Sequence, residues 1–299
     1  VYNLIKGAMI LNKHFLLKLY WAQFTTSQIH QLNQYYPQLF HVNDYEQESL
    51  LHCWITQYQP RLLPKFLDYK QFQYNEIMKV LRQLDINYIT YFDKDYPYLL
   101  KEIYDYPFVL FYKGNKDILK NDKTLAIVGA RKCTNYTSQA LNYLFPSFKR
   151  AQLTIVSGLA AGADSEAHQQ ALNAYLPTIA VLGYGHTHHY PKSTFSLRKK
   201  IEEQGIVISE YPPFSPIAKY KFPARNRLIS GLSKGVLLTE ANERSGSRIT
   251  IDCALEQNRN VYVLPGKIFD TSTKGNLLLH QEGATIVVNE HDILQDYSI

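Results

Sequence analysis

From Leu125 onward, short apolar runs alternate with amphipathic stretches, and most runs end in a glycine-bearing or polar turn. The candidate strands are Leu125–Val128, Thr154–Val156, Thr178–Leu182, Ile206–Ile208, Val236–Thr239, Asn260–Leu264 and Thr285–Val288. Runs this short and this apolar suit strands covered on both faces, and helices between them imply parallel pairing through crossovers. The pattern predicts an α/β fold: an extended Rossmann-like, doubly wound, mostly parallel sheet over residues 116–299, preceded by a small helical domain. Ligands on such sheets bind outside the carboxyl ends of the strands. The turns after these strands are therefore where chemistry is expected.

The first part of the chain reads differently. Over residues 9–92 the apolar positions (Leu16, Leu17, Leu19 and Tyr20, then Ile29, Leu32, Tyr35 and Tyr36) recur at helical spacing, and Thr25-Thr26-Ser27 offers a cap. Glycine is absent from Leu11 to Lys113, so no glycine hairpin can approach a phosphate here. This stretch is read as a helical domain for interaction or scaffolding, its tyrosines as filler. The eight residues before Met9 are set aside as an alternative start. Residues 93–115, punctuated by Pro97, Pro107 and Gly114, read as a connector packed on the main domain, with apolar patches at Tyr98–Leu100 and Phe108–Phe111. Cys53, Cys133 and Cys253 form no CxxC pair, no run of 18 apolar residues occurs, and no charged-then-apolar leader opens the chain. The expectation is a soluble cytoplasmic protein with no membrane association.

Charge singles out one stretch. The chain holds 32 Lys and Arg against 26 Asp and Glu, and the whole excess lies between Lys192 and Lys234. A localised excess is the footprint of a polyanion site. Within it, Phe222–Ser233 reads FPARNRLISGLS: Arg225 and Arg227 supply planar donor forks matched to phosphate oxygens, Asn226 both donates and accepts, and Phe222 offers a face to a base. Arg198-Lys199-Lys200 reads as a solvated helix face.

The strand-end turns add further candidates. Gly129-Ala130-Arg131 follows the first strand, with Thr134 or Asn135 to cap the next helix, whose free N–H groups attract anions. Ser157–Asp164 (SGLAAGAD) follows the second, where Gly158 and Gly162 permit close approach of a ligand or close packing. Asp164 and His168 lie four apart, either as an acid–base pair or, preferred here, as structural groups with the aspartate pinning a loop. After the third strand, His186, His188 and His189 lack a carboxylate or cysteine to complete a metal site, and Lys192 is the better phosphate contact. Ser245, Gly246 and Ser247 form a possible phosphate cradle. Pro265-Gly266-Lys267 and Thr271–Asn276 close the series. No GxGxxG, Walker A or GxSxG motif appears, so no cofactor, no metal and no catalytic residue is expected.

Taken in order, GAR (129–131), SGLAAGAD with EAH (157–168), VLGYG with YPK (181–192), SEYPP (209–213), FPARNRLISGLS (222–233), EANERSGSRIT (240–250), LPG (264–266) and TKGN (273–276) resemble the DNA-processing protein A family, DprA or Smf, of bacteria. The resemblance covers about Tyr96 to the end. It implies sequence-independent binding of single-stranded DNA, protection of incoming DNA and its delivery to the recombinase RecA in natural transformation. It also implies a homodimer formed through the sheet-bearing domain, and a basic pocket of Arg131, Lys192, Arg225 and Arg227 with Phe222 beside it. The histidine-rich turn departs from the family pattern, and the chain's end soon after Leu294 implies no winged-helix module. The competing class is a Rossmann-like nucleotide-processing enzyme of glycosidase or phosphoribohydrolase type, which needs a carboxylate free for acid–base work.

Overall fold

The computed structural model describes residues 2–297. Five helices come first: α1 (Tyr2–Trp21), α2 (Thr26–Tyr35), α3 (Asp44–Tyr58), α4 (Leu63–Gln71) and α5 (Tyr74–Gln83). Thr25 caps α2 through a reciprocal bond with Gln28, and Asn43 does the same for α3 with Glu46. Strand β1 (Asn87–Thr90), the single-turn α6 (Tyr98–Lys101) and β2 (Val109–Gly114) follow. The alternating part then runs β3 (Thr124–Val128), α7 (Asn135–Arg150), β4 (Thr154–Ser157), α8 (Ala163–Asn173), β5 (Thr178–Leu182), α9 (Phe195–Gln204), β6 (Ile206–Ser209), α10 (Lys221–Gly231), β7 (Gly235–Leu238), α11 (Arg248–Glu256), β8 (Asn260–Val263), α12 (Lys274–Gln281), β9 (Thr285–Ile286) and α13 (His291–Leu294).

One nine-stranded sheet carries the domain, in the order β1-β2-β6-β5-β4-β3-β7-β8-β9. The seven strands from β3 onward are all parallel, and all seven were legible in the sequence to within one or two residues. Strands β1 and β2 are additional and antiparallel: β1 pairs with β2, and β2 pairs with β6. The segment read as a packed strap is thus partly sheet. The end of the stretch read as helical, from Asn87, is sheet too.

Strand β2 joins the two halves because its faces alternate. Val109 and Phe111 point into a core shared with Phe15, Leu16, Leu51 and Trp54 of the helices, while Leu110 and Tyr112 point into the core above the parallel strands. Polar ties reinforce the seam. Lys13 pairs with Asp93 at 2.6 Å, and the Phe108 N–H donates to the Tyr20 hydroxyl at 3.1 Å. Among the described residues no helix is long and apolar enough to cross a membrane.

Because Phe111 is fully buried between helices and sheet, Phe111→Ala is expected to lower unfolding stability by about 3–5 kcal/mol. Urea denaturation followed by tryptophan fluorescence reads this directly. A loss under about 1 kcal/mol would mean that the helices do not depend on β2.

Candidate nucleic-acid interface

Strand order reverses at β3, which has β4 on one side and β7 on the other. The loops leaving these strands diverge at such a switch point and open a crevice. Here it measures about 420 Å³ and is walled by the turn after β3, the segment before α11 and one side of α10. Helix α10 reaches this place because the chain must cross from β6 back to β7. Leu228, Ile229 and Leu232 anchor it on Val128, Val156 and Val181.

Four cations line the crevice: the buried Arg225 of α10, and three borne on loops, Arg131 and Lys132 from the first and Arg244 from the second. Arg131, Lys132 and Arg244 are exposed, and none of the three has a hydrogen-bond or ion-pair partner for its side chain among the described residues. Asn226 adds a side-chain amide; Gly129, Ser245, Gly246 and Ser247 complete the wall. The two serine hydroxyls lie 2.7 Å apart, and nothing crowds Gly246. Lys132 and Arg244 escaped the sequence reading, although each follows a strand-end turn, the one signal that could have found them.

Glu240, fully buried after β7, fixes the loop that carries Arg131. Its carboxylate accepts from Thr134 N–H and Oγ1 at 2.9 Å each, from Thr137 Oγ1 at 2.5 Å and from Ser272 Oγ at 3.3 Å. Its backbone oxygen accepts from Ala130 N–H at 2.7 Å. A carboxylate at the first turn of α7 also suits the positive end of the helix dipole. Thr134 is the cap, accepting from Tyr136 N–H at 3.1 Å.

Several expected phosphate ligands point elsewhere. Arg225 does line the crevice, but its bonded donors are turned inward. Its Nη1 donates to Gly158 O at 2.7 Å and to Val181 O, and its Nε donates to Asn226 Oδ1 at 3.2 Å. A side chain at Gly158 would meet that guanidinium at 2.6–2.7 Å, so this glycine makes room for Arg225 and not for a ligand. Gly162 adopts φ +78° against the Arg131 backbone, a turn requirement. Ser157 donates to Ile127 O at 2.6 Å, inside the sheet. Arg227 pairs with Glu210 at 2.7 Å and Asp105 at 2.6 Å on the far side of α10, where burial acts against its charge but the two carboxylates raise its pKa further. Arg198, expected on a solvated face, is buried and bonds Glu202, His186 O and His188 O. Lys192 is exposed but does not line the crevice. Phe222 lines it half-buried, with Tyr190 at 5.7 Å and Tyr184 at 6.3 Å between ring centroids.

Asp164 pins the SGLAAGAD turn, accepting from Gly158 N–H at 3.1 Å and Ala160 N–H at 3.3 Å on either side of Leu159, which is held at φ +56°. Burial raises its pKa, opposed by nearby Arg225 and these N–H groups. His168 faces Thr178 Oγ1 at 2.7 Å, not Asp164, and burial lowers it to about 3. His186 faces Phe111 O at 3.1 Å, and burial followed by the Arg198 charge takes it to about 3 as well.

A doubly wound sheet with unpaired cations gathered at its switch point defines an α/β protein with a cationic crevice. Residues 87–298 match the family described as DNA recombination-mediator protein A, and the chain belongs to that family. It is 40% identical over 220 residues to DNA processing protein DprA of Bacillus subtilis, covering 74% of each chain. It is 44% identical over 205 residues to DprA of Streptococcus pneumoniae, covering 69% of this chain and 72% of that one. The solved structure of the S. pneumoniae protein superposes with a TM-score of 0.82 at 35% identity, over 94% of this chain and 96% of that one. DNA processing protein A from Helicobacter pylori, whose structure is described for its single-stranded DNA binding mode, gives 0.63 at 28% identity over 70% of this chain and 94% of that one.

Two outcomes follow for stability. Arg225→Ala orphans two buried carbonyls and is expected to lower stability by about 1–3 kcal/mol for each. An unchanged urea midpoint would show that the turn stands without it. The two buried histidines titrate near 6.5 when unfolded and near 3 when folded, so the unfolded chain binds more protons in between. Stability is therefore full above pH 6.5 and falls toward pH 3, by up to about 1.4 kcal/mol per pH unit for each ring. Unfolding at pH 7.5 and pH 5 with His168→Gln and His186→Gln checks this, since each substitution should flatten the dependence.

Proposed function

We propose that the protein binds single-stranded DNA without sequence preference in the switch-point crevice, protects it, and passes it to the recombinase RecA in natural transformation and recombination. The observation that carries this reading is the set of three exposed, unpaired cations, Arg131, Lys132 and Arg244, around one crevice in a member of this family. Cations that grip phosphates carry no sequence information, and Phe222 and Asn226 in the same wall suit stacking and a polar base contact. The binding mode named for the H. pylori relative supports the same ligand.

The protein is read as a binding protein and not an enzyme. A nucleotide-processing reaction at this crevice needs a carboxylate free to move protons, and Asp164, the acid in its wall, is held by two N–H groups beside Arg225. The reading includes a cytoplasmic setting, no cofactor, and a homodimer through the sheet-bearing domain, because a long strand is held better by two linked anchors than by one. Sedimentation that shows only monomer at tens of micromolar would remove the dimer.

Arg131→Ala and Arg244→Ala are each expected to weaken oligo-dT binding by about 1–3 kcal/mol, or roughly 5- to 150-fold. Their melting temperatures should stay unchanged, since neither side chain supports the fold. Arg131→Lys should restore only part of the loss, because it keeps the charge and loses the fork. The double alanine variant should reduce the slope of log Kd against log salt by about 2. Normal binding by that variant would place the strand elsewhere, and hydrolysis of nucleoside monophosphates by the wild type would favour the enzyme.

A further inference from the structure

A second cavity of about 450 Å³ lies between the helical domain and the sheet. Helix α10 separates it from the crevice: Asn226 faces the crevice, whereas Lys221, Ala224 and Arg227 face this cleft. Its volume falls in the range of about 300–1,000 Å³ typical of small-ligand sites. The crevice reading makes no use of it.

The cleft offers ammonium groups and aromatic rings together. Lys65 Nζ, from the helical domain, donates to Gln23 O at 2.5 Å and Gln28 Oε1 at 3.1 Å and lies 5.6 Å from the Phe24 ring centroid. Lys221 Nζ, from α10, donates to Ser215 Oγ at 2.7 Å and Pro216 O at 2.8 Å and lies 4.7 Å from the Tyr211 ring centroid. Neither lysine has a carboxylate within ion-pair distance among the described residues. Each ammonium has three N–H donors and uses two, so one remains on each. The acids of the cleft do not compensate these charges. Glu210 is taken by both Nη atoms of Arg227 and by Thr26 Oγ1 at 3.1 Å, and Asp105 is taken by Arg227 Nε. Burial lowers the pKa of both lysines, as expected of ammonium groups without a counter-charge. Tyr220 stands at the rim with 72% of its surface exposed, its ring free on the solvent side.

Two uncompensated ammonium groups in a cavity with a free aromatic ring at its edge match a ligand with an anionic group and a flat ring. We propose that the interdomain cleft is a second binding site, separate from the crevice, for a nucleoside monophosphate unit, with Lys65 and Lys221 as its phosphate partners and Tyr220 as its stacking surface. The unit is either a free mononucleotide or one nucleotide of a strand that crosses α10. The chemistry is the same in both cases.

The test uses the full chain, methylanthraniloyl-AMP as a fluorescent mononucleotide, and an oligo-dT in which bromodeoxyuridine replaces thymidine at several positions. Lys65→Glu and Tyr220→Ala alter the cleft, and Arg131→Ala alters the crevice. Melting curves confirm that all three fold, and Lys65→Arg serves as a charge-preserving control. Wild type and Arg131→Ala are expected to bind the mononucleotide equally. Lys65→Glu and Tyr220→Ala should weaken it at least about fivefold, the scale of one lost stacking contact. Crosslinking of the oligonucleotide to Tyr211 or Tyr220, without binding of the free mononucleotide, also supports the site and identifies its occupant as part of a strand. The proposal is overturned if neither probe reaches the cleft. It is also overturned if the mononucleotide is lost in Arg131→Ala and retained in the cleft variants, an outcome that leaves the crevice reading standing.

Discussion

A buried guanidinium fixes the rim on which the site is built. Arg225 extends from α10 to the carbonyl of Gly158 after β4 and to that of Val181 in β5, so one side chain ties a crossover helix to two strands. A charge in such a place is tolerated only when its donors are satisfied and an opposite charge is near. The two carbonyls supply the first condition, and Asp164, itself held by the Gly158 and Ala160 N–H groups, supplies the second. Gly158 has to be glycine because the guanidinium occupies the space of a Cβ. The SGLAAGAD turn and the FPARNR helix are therefore one unit in space, although about sixty residues separate them in the chain.

That unit explains why the charge pattern located the site only approximately. The Lys192–Lys234 stretch carries the chain's basic excess, yet Arg198, Lys221, Arg225 and Arg227 each turn toward internal carbonyls, hydroxyls or carboxylates. A cation neutralised in the interior contributes little field at the surface, whereas exposed unpaired cations converging on one concave wall reinforce one another. The converging ones are Arg131, Lys132 and Arg244, all outside the stretch. Linear charge density pointed to the stretch holding α10, which forms one wall of the crevice. Side-chain direction, which depends on tertiary packing, decided which residues face solvent.

The same distinction separates what was legible from what was not. Parallel strands buried on both faces announce themselves as apolar runs between helices, so β3 to β9 could be placed from the sequence. Strand β1 is four residues long and follows helices without a glycine turn. Strand β2 lies within a proline-marked segment, and its antiparallel partner β6 is about a hundred residues away, a relation that no local pattern encodes. Among the candidate site residues, those that are loop-borne, the exposed Arg131 and the half-buried Ser245, line the crevice at strand-end turns. Those on a helix, Arg225 and Arg227, point in opposite directions about its axis. The weak amphipathic pattern of FPARNRLISGLS did not reveal which face would meet the crevice. Glu240, the first residue of the EANERSGSRIT motif, carried no assigned role because an acid does not suggest a phosphate site until its part in holding the cationic loop is visible.

Helix α10 is gripped from both sides, and this bears on why a helical domain accompanies the sheet. On one side Arg225 bonds the ends of β4 and β5; on the other, Arg227 is locked to Glu210 after β6, to Asp105 before β2, and through Glu210 to Thr26 of α2. The chain that forms the crevice wall is thus bonded, through one further residue, to the helical domain. Beside this link, Val109 and Phe111 of β2 lose their apolar cover if α1 and α3 move away. The residues that match the family begin at Asn87, where β1 begins, so the helices α1 to α5 lie outside that match while covering the outer face of β2. Any chain that keeps this sheet without these helices has to cover the outer face of β2 by other means, because an apolar strand face exposed to water is costly, whereas Glu210 would keep its ion pair with Arg227 and lose only the Thr26 hydroxyl.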